Sequence, residues 1–178
     1  MRVYVPATLA MLQRLVADRS VTAVNGTAFA VTPALRESYA QGDDDELAEV
    51  ALREAALASI RLLAGAGDEL SSDVAGQAAP PSVLPPRRAV LVADVDGATA
   101  RPDLDDAVVR LSGPIAIDDT IAAYVDNADA ETAVLAAVDA VDAADLGDED
   151  AELTVGDAQD HDLAWYATQE LPFLLELL

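Results

Sequence analysis

Two stretches of this chain repeat one short plan, and that repeat constrains the fold more than any other feature. Arg2-Val3-Tyr4-Val5-Pro6 is a run of β-favouring residues, followed by a helical run from Thr8 to Arg19. Ile121-Ala122-Ala123-Tyr124-Val125-Asp126 echoes it, followed by a helical run from Asp129 to Asp142. Each half is an apolar strand ending in Tyr-Val, a polar or proline break, then a helix. Strands alternating with helices in this way predict a mixed α+β protein.

The first half starts with a strand that Pro6 is expected to stop, because proline cannot donate to a ladder. Thr8 is placed to cap a helix carrying Leu9, Leu12 and Val16 at helical spacing. Asn25-Gly26, between Val21-Thr22-Ala23-Val24 and Thr27-Ala28-Phe29-Ala30-Val31, signals a hairpin, since both residues tolerate positive φ. Thr32-Pro33 reads as a helix cap and its first residue, opening a short helix to about Tyr39. Asp43, Asp44, Asp45 and Glu46 open the next helix, where carboxylates suit the macrodipole. Leu47, Ala51, Ala55, Ala58 and Leu62 form a narrow stripe of small residues along it, suited to close approach to a sheet.

Residues 65–86, rich in Gly, Ser and Pro-Pro, read as a mobile linker within a single domain spanning 1–178. Ala89-Val90-Leu91-Val92-Ala93 has the unbroken apolar character of a strand buried on both faces. Ala107 to Ser112 and Ile115 to Val125 are further strands, with Gly113-Pro114 as the turn between them. Val134, Val138 and Val141 mark the inner face of the following helix, with Glu131, Asp139 and Asp142 outward. Asp145 to Asp162 reads as an acidic connection, Leu163 to Ala167 as a strand closing the sheet, and Leu171 to Leu178 as an apolar tail. The order predicts a ferredoxin-like split βαβ sandwich with extra helices in its first crossover, the two Tyr-Val strands forming a parallel central pair. Another mixed-sheet α/β arrangement is the alternative.

Composition narrows the function classes. Asp and Glu number 33 against 10 Lys and Arg, giving a formal net charge of −23, and every Lys/Arg position is Arg. After Arg110 no Arg follows. This balance argues against nucleic-acid binding, which relies on cations neutralising phosphates, and against adhesion to an anionic membrane. There is no cysteine, hence no disulfide or thiolate chemistry. His161 is the sole histidine, which excludes His-dependent triads and multi-His zinc sites; beside Asp160 and Asp162 it reads as a loop residue. No secretory leader precedes Val3, and no apolar run reaches the ~18 residues of a membrane span, so a soluble cytoplasmic protein is expected. Aromatics make up only 4%, and Trp165-Tyr166 are expected to be core anchors.

The segments Met1 to Thr8, Thr27 to Glu37 and Trp165 to Leu171 together resemble an uncharacterised family of small acidic proteins from actinobacteria, a domain of unknown function. The resemblance implies a cytoplasmic setting and brings no catalytic residues.

One motif carries possible chemistry. Val90-Leu91-Val92-Ala93-Asp94-Val95-Asp96-Gly97 resembles the first motif of haloacid-dehalogenase-type phosphatases, where the first Asp is the nucleophile, the second a general acid–base, and both help hold magnesium. Two carboxylates at one strand end allow one to attack while the other manages the leaving-group proton. The match is short: Ala98 stands where that motif has Thr, no Lys exists for the phosphoryl group, and only Asp118-Asp119 imitates the distal acidic pair. Asp94, Asp96, Asp103, Asp105 and Asp106 are the oxygen donors available for magnesium or calcium, without EF-hand spacing. The preferred reading is a non-enzymatic interaction or regulatory domain with an acidic surface, in which Asp148, Glu149 and Asp150 meet a basic protein partner. A magnesium-dependent phosphohydrolase using Asp94 and Asp96, and a small-ligand-binding regulatory domain, are the alternatives.

Overall fold

The computed structural model describes residues 1–73 and 84–178. Seven strands make one sheet: β1 (Arg2–Ala7), β3 (Thr27–Phe29), β4 (Ala89–Asp94), β5 (Ala98–Ala100), β6 (Val108–Leu111), β8 (Thr120–Val125) and β9 (Ala164–Ala167). They lie in the order β5-β6-β3-β1-β4-β8-β9, and every neighbouring pair is antiparallel. β2 (Ser20–Val21) and β7 (Ile115–Ala116) pair separately as a two-stranded ribbon.

Cross-strand register divides the side chains between two faces. Val3, Val5, Leu91, Ala93, Ala123 and Val125 lie on one face and are fully buried. They pack against Leu9, Leu12 and Leu15 of α1 (Leu9–Asp18) and Leu171 and Leu174 of α6 (Leu171–Glu176). Burying each Val or Leu of this set stabilises the fold by roughly 1.5–3 kcal/mol. The other face presents Phe29, Val90 and Val108, with Tyr4 and Tyr124 partly buried, to α2 (Pro33–Ser38) and α3 (Asp44–Asp73). Ala51 and Ala55 are completely buried there, so their small size lets α3 lie close over β1. Ser59, on the same helix, donates to the Ala7 carbonyl at 2.7 Å and accepts from the Ala89 N–H at 3.1 Å. That hydroxyl pins α3 to two adjacent strands at once.

α4 (Glu131–Asp145) and α5 (Glu149–Gln159) form a helical hairpin through Gly147. Its apolar side, Val134, Ala137, Val141, Val155 and Ala158, packs on Ile60 of α3. An Arg61–Asp145 pair with two contacts of 3.0 and 2.9 Å ties α3 to the end of α4. Asp148 caps α5 by accepting from the Ala151 N–H at 3.0 Å.

Local readings of the sequence hold where a short-range hydrogen bond decides the conformation. Thr8 accepts from Met11 N–H at 3.2 Å, and Thr32 from Leu35 N–H at 3.1 Å with Pro33 at the first helical position. Asp43 and Glu46 bond each other's backbone N–H reciprocally at the start of α3. Several longer-range expectations are corrected. The two Tyr-Val strands are not an adjacent parallel pair, because β4 lies between them and is antiparallel to both; the ferredoxin-like plan lacks its central pair here. Pro6 does not stop β1, since beyond Tyr4 that strand pairs only with β4 and a missing donor is tolerated there. Asn25 and Gly26 do take positive φ, but the flanking strands pair elsewhere, β2 with β7 and β3 with β6 and β1. The single strand expected over Ile115–Val125 is broken by a turn at Ile117–Asp119.

Helix α3 continues through Gly65 to Asp73, so the first part of the expected 65–86 linker is helical; 74–83 lie outside the described residues. α5 replaces most of the expected acidic connection, its carboxylates outward and its Ala151, Val155 and Ala158 inward. Trp165 is exposed rather than a core anchor, because β9 is an edge strand and it is Tyr166 that turns toward the core. At the end of β9 the Ala167 N–H donates to the Glu170 carboxylate at 3.0 Å. No helix among the described residues is long and apolar enough to cross a membrane.

Candidate functional site

The register of β4 and β8 pairs Ala89 with Val125 and therefore brings the residues just outside them, Arg88 and Asp126, side by side. Both are buried, with side chains 2% and 0% exposed. Arg88 meets the carboxylate as a fork: Nε–H to Oδ2 at 2.9 Å and Nη2–H to Oδ1 at 2.7 Å. Its Nη1 also donates to Gln159 Oε1, and its Nη2 to the His161 carbonyl, both at 2.8 Å. Asp126 accepts the Arg88 backbone N–H at 2.8 Å as well. Planar, two-pronged geometry of this kind is what guanidinium supplies and ammonium does not. Gln159 is in turn held by the Arg53 carbonyl at 3.1 Å, so α3, β4, β8 and α5 share one network.

Above this network lies a cleft of about 460 Å³. Glu49, Leu52, Arg53 and Ala56 of α3 form one wall, and Gln159, His161, Asp162 and Leu163 form another. Arg88 and the Tyr124 side chain complete it. Glu49 and Arg53 are one helical turn apart and exposed, and among the described residues neither they nor Asp162 form an ion pair. The site therefore combines a buried guanidinium held by Asp126, an exposed cation, two exposed carboxylates and an apolar strip.

The carboxylates singled out from sequence lie elsewhere. Asp94, at the far end of β4, faces Arg2 at 3.3 Å and lines a hollow of about 430 Å³ with Tyr4, Arg36, Asp44 and Asp45. Burial, reinforced by the neighbouring Tyr124 phenol, pushes the Tyr4 hydroxyl pKa up. Asp96 lines a separate hollow of about 210 Å³ with Ser112 and Asp119. Asp96 and Asp119 thus line one hollow and Asp94 another, and Asp118 faces Arg19. Gly97 packs closely on Ser112: a Cβ there would meet its Oγ at 2.0 Å, so the hydroxyl would have to rotate away. Asp103 is held by Arg101 at 2.9 and 2.7 Å, and the guanidinium beside it lowers its carboxyl pKa. Asp106 accepts from Ser38, and Asp105 from the Asp106 N–H. Among the described residues, no group of three or more His, Asp or Glu side chains is arranged to hold a metal ion. Asp148 serves as the α5 cap, with Glu149 and Asp150 exposed in the turn behind it.

A family model, a family of unknown function (DUF6912), matches residues 1–175. The chain belongs to DUF6912. No curated protein and no solved structure matches it. The functional reading of this DUF6912 chain therefore rests on its own geometry. Arg88 and Asp126 carried a signal in the sequence, one charge immediately before the apolar run Ala89–Ala93 and one immediately after Tyr124-Val125. Antiparallel pairing of those two runs is needed to see it, and a parallel pairing of the Tyr-Val strands hides it.

Proposed function

We propose that this protein is a non-enzymatic, cytoplasmic regulatory domain that binds a small molecule in the cleft over Arg88 and Asp126. The supporting observation is that a cleft of about 460 Å³ has a buried ion pair as part of its wall, fixed from two helices and two strands. Small-molecule sites occupy roughly 300–1,000 Å³ and use a few fixed polar groups among apolar ones. A desolvated ion pair is weak as a stabilising device, since its desolvation cost offsets most of its attraction. A fixed donor in a ligand site gives such a pair a use. The test is NMR titration of ¹⁵N-labelled protein with fragments of every charge type. Shifts should cluster on the Gln159 side-chain amide and the Leu163 backbone, and a cleft-filling Leu52→Trp variant that remains folded should lose them. Fragments that move only resonances far from this cleft would sink the reading.

A different reading, docking of a basic protein on the acidic surface, is favoured by one observation. Glu149, Asp150 and Glu152 are exposed together at the start of α5, in a region that contains no Arg or Lys. Replacing Asp148, Glu149 and Asp150 by Asn, Gln and Asn retains a capping side chain while removing charge. Association with a basic protein should then slow, and its salt dependence should flatten. Unchanged association kinetics would count against this surface.

A further inference from the structure

We infer that the ligand of this cleft is a small zwitterion, a free amino acid or a molecule of that kind with a carboxylate, an ammonium and an apolar group. This rests on the ligand-binding reading above and adds the chemistry of what binds. A guanidinium has five N–H donors, and four of those on Arg88 are taken by Asp126, Gln159 and the His161 carbonyl. Among the described residues one Nη1 hydrogen has no acceptor, on a side chain that is 2% exposed and forms part of the cleft wall. A carboxylate is the acceptor that answers a buried, fixed cationic donor best. Arg53, exposed in the same wall, can close on the other carboxylate oxygen.

The opposite charge is present at the same opening. Glu49 is one turn before Arg53, a spacing that sets their Cβ atoms about 5–6 Å apart. With the ligand carboxylate on Arg53, its adjacent ammonium comes within reach of Glu49, with Asp162 on the facing wall. Leu52, Ala56 and Leu163 supply the apolar contact for a side chain. A bare anion would face Glu49 and Asp162 here, and a bare cation would face Arg53. A molecule with no net charge also enters without opposing the field of a protein of net charge −23.

The experiment titrates the twenty common amino acids into the full chain, followed by ¹⁵N NMR and calorimetry. The tightest is then compared with its N-acetyl form, which lacks the ammonium, and its amide, which lacks the carboxylate. Both blocked forms should bind at least tenfold more weakly, with free amino acid moving the Arg88 Nε–H and Gln159 amide signals. Arg53→Gln should weaken the free amino acid and its N-acetyl form alike. Glu49→Gln should reduce the discrimination against the N-acetyl form; both variants alter exposed positions, so folding is preserved. Equal binding of either blocked form overturns the zwitterion assignment. So does a cleft that accepts neutral fragments but no amino acid, an outcome that leaves ligand binding itself standing. A cleft that accepts nothing overturns both.

Discussion

β4 carries an Arg–Asp pair at each end, and the two ends could hardly differ more. At the start of the strand, Arg88 and Asp126 meet at 2.7 Å with side chains 2% and 0% exposed. At its finish, Arg2 and Asp94 meet at 3.3 Å with side chains 58% and 55% exposed. The residue types are the same and the strand is the same, so the difference lies in what covers them. Gln159 at the end of α5 and the His161 carbonyl in the turn into β9 close on Arg88, whereas the Arg2–Asp94 pair borders an open hollow. Chemistry that depends on a fixed charge belongs at the covered end.

The sharpest test of this contrast removes one partner from each pair. Asp126→Ala leaves a buried guanidinium uncompensated and should cost about 3–5 kcal/mol in urea unfolding. Asp94→Ala should cost less than ~1 kcal/mol, because water already screens that pair. Equal losses at the two ends would break the comparison. Replacing Arg88 and Asp126 together by Met and Leu should recover much of the loss while destroying any ligand response, which separates stability from binding.

The next effect concerns how the covered end is anchored. Ser59→Ala removes a hydroxyl that serves Ala7 and Ala89 together and leaves two buried backbone groups unmet. A loss of about 1–3 kcal/mol is expected from the thermal or urea midpoint. An unchanged midpoint would show that those backbone groups find other partners.

The smallest effects are those of pH at surface carboxylates. The Arg61 side-chain hydrogen bonds hold the Asp145 pKa below its ordinary value. Its contribution is therefore present at neutral pH and is lost as pH falls below about 4 through the lowered folded pKa. Burial, with Asp105 adding to it, raises the Glu54 pKa despite the opposing Arg61. Its contribution runs the other way, present in acid and lost as pH rises through the raised folded value. Glu54→Gln should slightly stabilise the protein at pH 7 and Asp145→Asn slightly destabilise it, each by less than ~1 kcal/mol. Parallel pH profiles for wild type and both variants would remove these groups from the acid response.

Much of the local structure was legible because its cause is local. Thr8 and Thr32 fix helix starts through bonds from N–H groups three residues on, Pro33 supplies a ready-made first helical residue, and Ala89–Ala93 announces a fully buried strand by having no polar residue. Pairing is a different matter. Asn25-Gly26 supplies a hairpin's backbone, yet β3 gains more by lying between β1 and β6. α5 escaped notice because its inner face is only Ala151, Val155 and Ala158, set among carboxylates and Gly156. Gly65 suggested a break, but a glycine costs only about 1 kcal/mol in a helix and α3 runs on through it. Of the site, the types Arg and Asp were visible and their partnership was not, because it depends on which strand lies between the Tyr-Val strands.

The small bond from Ala167 N–H to Glu170 has a consequence beyond its own turn. β9 borders the sheet, where unpaired backbone donors invite strands from other molecules to add on and extend it. Here one such donor is already occupied by a carboxylate, so an incoming strand must first evict a hydrated negative group and then lie beside it. Chains that guard their borders with lysine use the bulk and charge of an ammonium; this one has no lysine and uses an acid folded back on the backbone. Glu170→Ala should therefore reveal itself less in the unfolding curve than in the concentration at which the protein begins to polymerise.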